Sequence, residues 1–427
     1  MGLQGLPAAV KVLLVTQMLF NIGFYLVVPF IAVQMTDSLG AGGALVGLVL
    51  GIRTFSQQGL FFLGGGLADR YGIRSVLLTG VAVRIVGFLV AGLADSISTM
   101  ILGVVLIGAA AALFSPAVEA ALATEGERLQ RAGTITRSRL FALDTAWSRL
   151  GALTGPVFGA LLIPVGFPAV CSMGAAVFGV IFIVHVVVLR GAGLVGDRDV
   201  GKQEGLVRPM LGAWSRVLRN RAFVGFALAY STYLLAYNLQ YLALPVELRR
   251  ATGSDELLGW FFAGVGVYVI ALQGPVNSYA HRLRTATALI TGFGVMSGSF
   301  VLVAAFAPVA LSGWVALLPA VLFVLLLHLG MMIAVPVARD VVGRLAGEQD
   351  LGSYYGFLNS FGGLAVLLGS LGIGALLNVA EVPQAAATLP WLVMAMLLAV
   401  SALALGRQAN QRPLPDVHLP SAPPPTK

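Results

Sequence analysis

Apolar residues run through this chain in long blocks, with polar residues gathered in short clusters between them. In order, the blocks fall near residues 12–34, 43–66, 75–94, 98–122, 141–164, 168–189, 222–246, 257–279, 285–307, 313–335, 352–378 and 387–406. Each reaches about the 20 residues that an α-helix needs to cross a hydrocarbon core roughly 30 Å thick. Inside lipid every backbone N–H and C=O must find an internal partner, and a continuous helix supplies one for each. The pattern predicts an all-α polytopic membrane protein with twelve transmembrane helices. The longest polar stretch, 190–221, carries Arg190, Asp197, Arg198, Asp199, Lys202, Glu204, Arg208, Arg216, Arg219 and Arg221. It separates six spans from six, so two six-helix bundles are expected. The divisions are an N-terminal bundle at 1–190, a cytoplasmic linker at 191–220, a C-terminal bundle at 221–406 and a disordered cytoplasmic tail at 407–427.

An internal repeat supports the division. Gly47 and Gly80 are 33 residues apart in the first half, and Gly259 and Gly292 are 33 apart in the second. In that register Arg70 meets Arg282 and Asp69 meets His281. The second copy has lost its acid, which makes the halves functionally unequal.

Composition agrees with the pattern. Of 427 residues, 58% are hydrophobic and only 10% charged, against about 25% charged in soluble domains; mean hydropathy is +0.92. The net charge of +8 raises the question of nucleic acid, and the placement of the cations answers it. With both termini cytoplasmic, the cytoplasmic segments hold 21 of the 26 Lys and Arg. The outer connectors hold only Arg249 and Arg250, and Arg53, Arg84 and Arg149 lie within spans. This is the positive-inside asymmetry, so the expected partner is the lipid bilayer and not nucleic acid. The one cysteine, Cys171, lies inside a span, which excludes an intramolecular disulfide. The first apolar block is too long for a cleaved signal peptide and has no small-residue cleavage site.

Between the second and third spans stands Gly65-Gly66-Leu67-Ala68-Asp69-Arg70-Tyr71-Gly72-Ile73-Arg74. So short a connector must be a tight turn, which accounts for its flanking glycines. Asp69 suits the N-terminus of a neighbouring helix, where the dipole favours negative charge, with Arg70 and Arg74 holding the same junction from the headgroup side. In span 5, Gly151, Gly155 and Gly159 recur every four residues on one face, which permits close helix contact, and Pro156 removes a backbone donor.

The spans also carry polar residues. Gln17, Asn21 and Tyr25 share a face of span 1, either to hydrogen-bond a neighbouring helix or to line a wet cleft. Tyr230, Tyr233, Tyr237, Gln240 and Tyr241 share a face of span 7. Rings with polar tips suit a pocket for amphipathic molecules, although Tyr241, near the outer end, also fits an interfacial belt. Midspan Arg53 and Arg84 should face the protein interior, since an unpaired arginine there costs at least about 2.5–3.5 kcal/mol. Glu119 and Asp144 are the acids within the membrane region. Asp144 and Arg149 are about 140° apart around their helix, so Asp144 is free to titrate or to meet a cation on another helix; the other reading is a solvated acid at a helix start. His185, His328 and Asn359 read as packing hydrogen bonds. There is no metal-ligand spacing, nucleotide-binding loop or nucleophile motif. No metal, cofactor or ATP-driven step is therefore expected, and the chain reads as no enzyme.

The loop at 65–74 resembles the signature that the major facilitator superfamily carries between its second and third helices. Gly151 to Gly159 resembles that superfamily's antiporter motif. The strings at 22–29, 50–60 and 352–357 are similar to those of MdtH-type multidrug exporters, and Asp144 also matches that branch. The resemblance implies a multi-pass transporter of the bacterial inner membrane that exchanges protons for a drug-like molecule. Two departures stand out. Ser115 occupies an acid position of that branch, and Val104-Val105-Leu106-Ile107-Gly108 lacks the arginine that many members place there.

The combined expectation is a monomeric, proton-coupled drug exporter working by alternating access. Gly65, Asp69, Arg70, Gly72 and Arg74 form its latch, and Asp144 with Glu119 carries the proton. Arg53, Arg84 and Arg149 tune those acids. Gly151, Gly155, Pro156 and Gly159 pack the helices, and Asn21, Tyr25, Tyr233, Tyr237 and Gln240 bind substrate. A facilitator or importer of a metabolite is the rival within transport. A polytopic membrane enzyme or receptor is the rival outside it.

Overall fold

A computed structural model describes residues 6–61, 67, 68, 70–192, 215–346 and 351–411. The expected linker falls mostly outside these residues, as do Gly65 and Asp69; of the expected tail, Arg407 to Gln411 continue the last helix and the rest lies outside the described residues.

Twelve helices carry the described chain: α1 (Ala8–Val27, continued through a 3-10 turn into Ile31–Asp37), α2 (Gly43–Gln58), α3 (Ile73–Gly92), α4 (Ile97–Arg131), α5 (Arg137–Leu162), α6 (Phe167–Ala192), α7 (Arg221–Thr252), α8 (Leu258–Ala280), α9 (Thr285–Phe306), α10 (Leu318–Ala346), α11 (Leu351–Leu377) and α12 (Leu389–Gln411). Eleven are long and apolar enough to cross a membrane; α2 is described over 16 residues. No strand occurs among the described residues.

Helix ends follow local chemistry. Ser96 and Thr99 close a capping box at the start of α4. Asn220 caps α7 by accepting from the Phe223 N–H at 3.1 Å, and α7 stops at Gly253, in the left-handed conformation at φ 75°. Pro29, which has no N–H, coincides with the 3-10 turn that interrupts α1.

The two halves pack alike. Within the first, α1 lies on α5 and α6, α3 on α4 and α6, and α2 on α4; the second repeats this as α7 on α11 and α12, α9 on α10 and α12, and α8 on α10. The halves meet mainly through α2 on α11 and α5 on α8, which exchange under a shift of six helices.

The helices alternate between two ends of the molecule. The near end holds Ala8, Arg131, Ala280 and Ala346, and the far end holds Asp37, Leu162, Thr252 and Leu377. α2 and α11 touch along their length, from Gly43 against Gly374 at the far end to Gly363 against Gln58, 3.2 Å from a built Cβ, at the near end. By contrast, the close contacts of α5 and α8 lie in their far halves, where Gly259 faces the Pro156 carbonyl and Ala160, and Gly266 faces Leu153, while Gly274 of α8 has nothing within 4 Å. From Leu153 and Gly266 toward the near end they part. The next buried residue on α5 after Gly151 is Leu140, and on α8 after Val265 it is Ala280. A cleft between the halves therefore opens to the near end.

Candidate functional site

Beside the cleft, the glycine face of α5 packs that helix against α1. Cβ atoms built on Gly151, Gly155 and Gly159 would meet the carbonyl oxygens of Met18, Ile22 and Leu26 in turn, the latter two at 2.8 and 2.6 Å. A repeat of four on α5 thus meets a repeat of four on α1, and larger side chains would push the helices apart. This contact orients α1 so that Gln17 faces Asp144. Asn21 spends its amide on the Gln17 carbonyl (2.8 Å) and its Cβ packs on Gly151.

Near the open end, Asp144 Oδ1 is buried without a hydrogen-bond partner. Asp144 and Glu119 of α4 lie within electrostatic reach of one another. The cation that acts on Glu119 is Arg339 of α10, from the other half, and its charge also reaches Tyr230, Tyr233 and Tyr355. Arg339 is absent from the sequence expectation because it lies past the apolar block ending at 335, whereas α10 runs on to Ala346.

Midway along the helices, the hydroxyls of Tyr25 and Tyr237 meet across the halves at 3.0 Å, and that of Tyr241 joins them at 3.1 Å. Tyr241 stacks on Phe262 of α8, an interior role and not an interfacial one. Tyr230 is buried against Phe226 and Tyr233, while Gln240 is 1% exposed with its Oε1 unpartnered.

Beside the tyrosines, Arg53 donates from Nη2 to Thr54 Oγ1 (2.8 Å) and to Asn238 Oδ1 of α7 (3.2 Å). The Arg84 guanidinium lies 4.8–5.4 Å from the ring centres of Phe20, Phe24, Phe88 and Phe178 and donates to the Ile107 carbonyl at 2.7 Å. The partners the structure gives these two arginines are rings, an amide, a hydroxyl and a carbonyl. Arg149 is half-buried on α5 and makes no ion pair with Asp144 among the described residues. His185 and His328 bond the Ile181 and Val324 carbonyls, at 2.8 and 2.9 Å.

At the far end Arg249 of α7 joins Asp37 of α1 at 2.6 Å and Asp255 at 2.6 Å, and the Gly43 N–H donates to Asn378 at 2.8 Å. Of the loop latch, Arg70 is exposed over the Tyr71 ring at 5.4 Å, Gly72 holds φ 83° and Arg74 keeps a buried Nε without a partner.

A model of the Major Facilitator Superfamily matches residues 13–370. The chain belongs to that superfamily. This major facilitator is 32% identical over 407 residues, 94% of each chain, to the multidrug resistance protein MdtH of Sodalis glossinidius. MdtH of Escherichia coli is 29% identical over the same shares. An uncharacterized MFS-type transporter of Mycobacterium tuberculosis is 32% identical over 384 residues, 88% of each. Among solved structures, the peptide transporter POT matches with a TM-score of 0.78 over 96% of each chain at 14% identity. The nucleoside transporter NupG matches with 0.73 over 93% of this chain and 99% of its own, at 15%. Identities that low show a shared fold alone. The chain is a multi-pass membrane transporter and not an enzyme.

Proposed function

We propose that this transporter exports drug-like or antibiotic small molecules across the cytoplasmic membrane in exchange for protons, by alternating access. The observation that carries the reading is the acid pair Asp144 and Glu119 near the open end of the cleft, with Arg339 of the opposite half reaching Glu119. An acid that meets a cation of the other half in one state and loses it in the next changes its proton affinity during the cycle, as coupling requires. The 29–32% identity to MdtH proteins along most of the chain supports a drug as cargo. The tyrosines of α1 and α7 offer it ring surface and hydroxyls.

With the basic segments on the cytoplasmic side, the near end is cytoplasmic and the cleft faces inward. Residues 1–190 and 221–406 act as the two rocking units, joined by 191–220. Asp69, with Arg70, Gly72 and Arg74, latches the near end when the cleft closes there. The carrier works as a monomer, since the cleft is completed within one chain. The test is a drug panel in an efflux-deficient host. Expression should raise resistance to some compounds, and a proton uncoupler should abolish the gain. Resistance that survives the uncoupler excludes proton coupling.

A further inference from the structure

Two guanidinium groups lie deep between the helices around one ring, Phe24, with Arg53 5.2 Å and Arg84 5.4 Å from its centre. They are 4% and 1% exposed, and neither forms an ion pair among the described residues. Their surroundings differ. Arg84 keeps two buried donors without partners, Nε and Nη2, but it is enclosed by four phenylalanine rings, an internal arrangement in which π-faces offset much of the cost of burying the cation. Arg53 has a single ring. Both of its hydrogen bonds leave from Nη2, so Nε and Nη1 are buried donors without partners.

The groups around Arg53 cannot discharge this debt. Asn238 has no acceptor left for those donors, its Oδ1 already accepting from Thr54 and Arg53, while its Nδ2 donates to the Leu234 carbonyl at 2.9 Å. The hydroxyls of Tyr25, Tyr237 and Tyr241 bond one another in a row. All three lie within the electrostatic reach of Arg53, and none is an anion at neutral pH. The acids of the spanning helices have other neighbours: Asp144 faces Gln17, Glu119 lies within reach of Arg339 and Asp144, and buried Glu247 and Glu125 pair with Arg250 at 2.7 Å and Arg128 at 3.6 Å. A buried cation with free N–H groups persists at lower cost when an anion visits it.

We infer that Arg53 is the docking point for an acidic group on the transported molecule, so that the preferred cargo is an aromatic organic anion such as a carboxylate. The anion meets Arg53 Nε and Nη1, and the aromatic body lies against the half-buried rings of Tyr25 and Tyr237. Arg53 comes from α2 and bonds Asn238 of α7 through Nη2, so the docking point lies where the two halves meet. The inference rests on the reading of this chain as an exporter and narrows its substrate class.

The test uses the purified full-length protein and three probes of one shape: 1-naphthoate, 1-naphthamide and 1-naphthylmethylammonium. Binding is measured by calorimetry, and export is measured in proteoliposomes. Wild type should bind naphthoate most tightly. Arg53→Gln should weaken naphthoate at least about tenfold while leaving naphthamide unchanged, and Arg53→Lys should recover part of the loss. Undetectable naphthoate binding, equal affinity for naphthoate and naphthamide, a preference for the ammonium, or an Arg53→Gln variant with wild-type naphthoate affinity each overturns the inference. Should Arg53→Gln fail to fold, the wild-type ranking of the probes decides alone. Uphill export without anion preference defeats this inference and leaves the exporter reading standing; anion preference without proton-driven export does the reverse.

Discussion

Gly155 shows how little freedom single positions have at the centre of this transporter. A Cβ there would stand 2.8 Å from the Ile22 carbonyl oxygen and 2.9 Å from the Tyr25 Cβ, so a leucine must separate α5 from α1. Overpacking of this kind costs typically about 1–3 kcal/mol, and it also displaces Tyr25 from the cleft. Gly155→Leu should therefore lower the melting temperature in detergent and abolish export. Gly298→Leu, where nothing lies within 4 Å, should change neither. Gly72 is constrained differently, by φ 83° and ψ 145°, a conformation that side chains resist at a cost of roughly 1–3 kcal/mol. Gly72→Val should destabilise the protein by that order in thermal unfolding, even though the residue contacts no expected substrate group. The glycine repeat of α5 was legible because residues four apart share one face of a helix with about 3.6 residues per turn. The Thr54–Arg53–Asn238 junction was not, since a lone asparagine among tyrosines gives no sign of which helix it faces.

The elements carry the asymmetry that defines the observed state. α2 and α11 stay together from end to end while α5 and α8 part toward the near end, and the far end is fastened by Arg249, Asp37 and Asp255. With 33% and 50% side-chain exposure the Arg249–Asp37 pair is wet, and such pairs are worth about 0.2–1 kcal/mol. That shifts the balance between states up to about fivefold, and the packing of Gly259 on Pro156 and Ala160 closes the same end. Asp37→Asn should open the far end part of the time. A cysteine placed at buried Met35, with Cys171→Ala as background, should then react with a membrane-impermeant maleimide up to about fivefold faster, and Asp37→Glu should restore protection. Unchanged labelling in Asp37→Asn would show that the pair holds nothing shut. All twelve spans appeared in the apolar pattern, but several ends did not. The pattern stops span 4 at 122 and span 10 at 335, whereas the helices continue to Arg131 and Ala346. Hydropathy ends where charge begins, whereas Ala, Glu, Leu and Arg continue a helix readily in water. Arg339 and Glu125 sit on those extensions.

At the scale of the whole molecule, two halves with the same packing meet through α2 on α11 and α5 on α8, and the chemistry is distributed unevenly between them. The first half supplies Asp144, Glu119, Arg53 and Arg84, and the second supplies the tyrosine face and Arg339. This inequality was readable in part, from the second loop copy carrying His281 where the first has Asp69. That Arg339 of the opposite half lies within electrostatic reach of Glu119 was not, because proximity across a cleft leaves no period in either helix. Proton coupling through the acid pair is the central claim. It is tested most directly by drug efflux from reconstituted vesicles under an imposed pH gradient, comparing wild type, Asp144→Asn and Glu119→Gln. Wild type should accumulate drug against its gradient, and Asp144→Asn should still bind drug and exchange it downhill but no longer accumulate it. Uphill accumulation by Asp144→Asn with failure of Glu119→Gln alone would move the carrier to Glu119, and uphill accumulation by both variants would contradict the account.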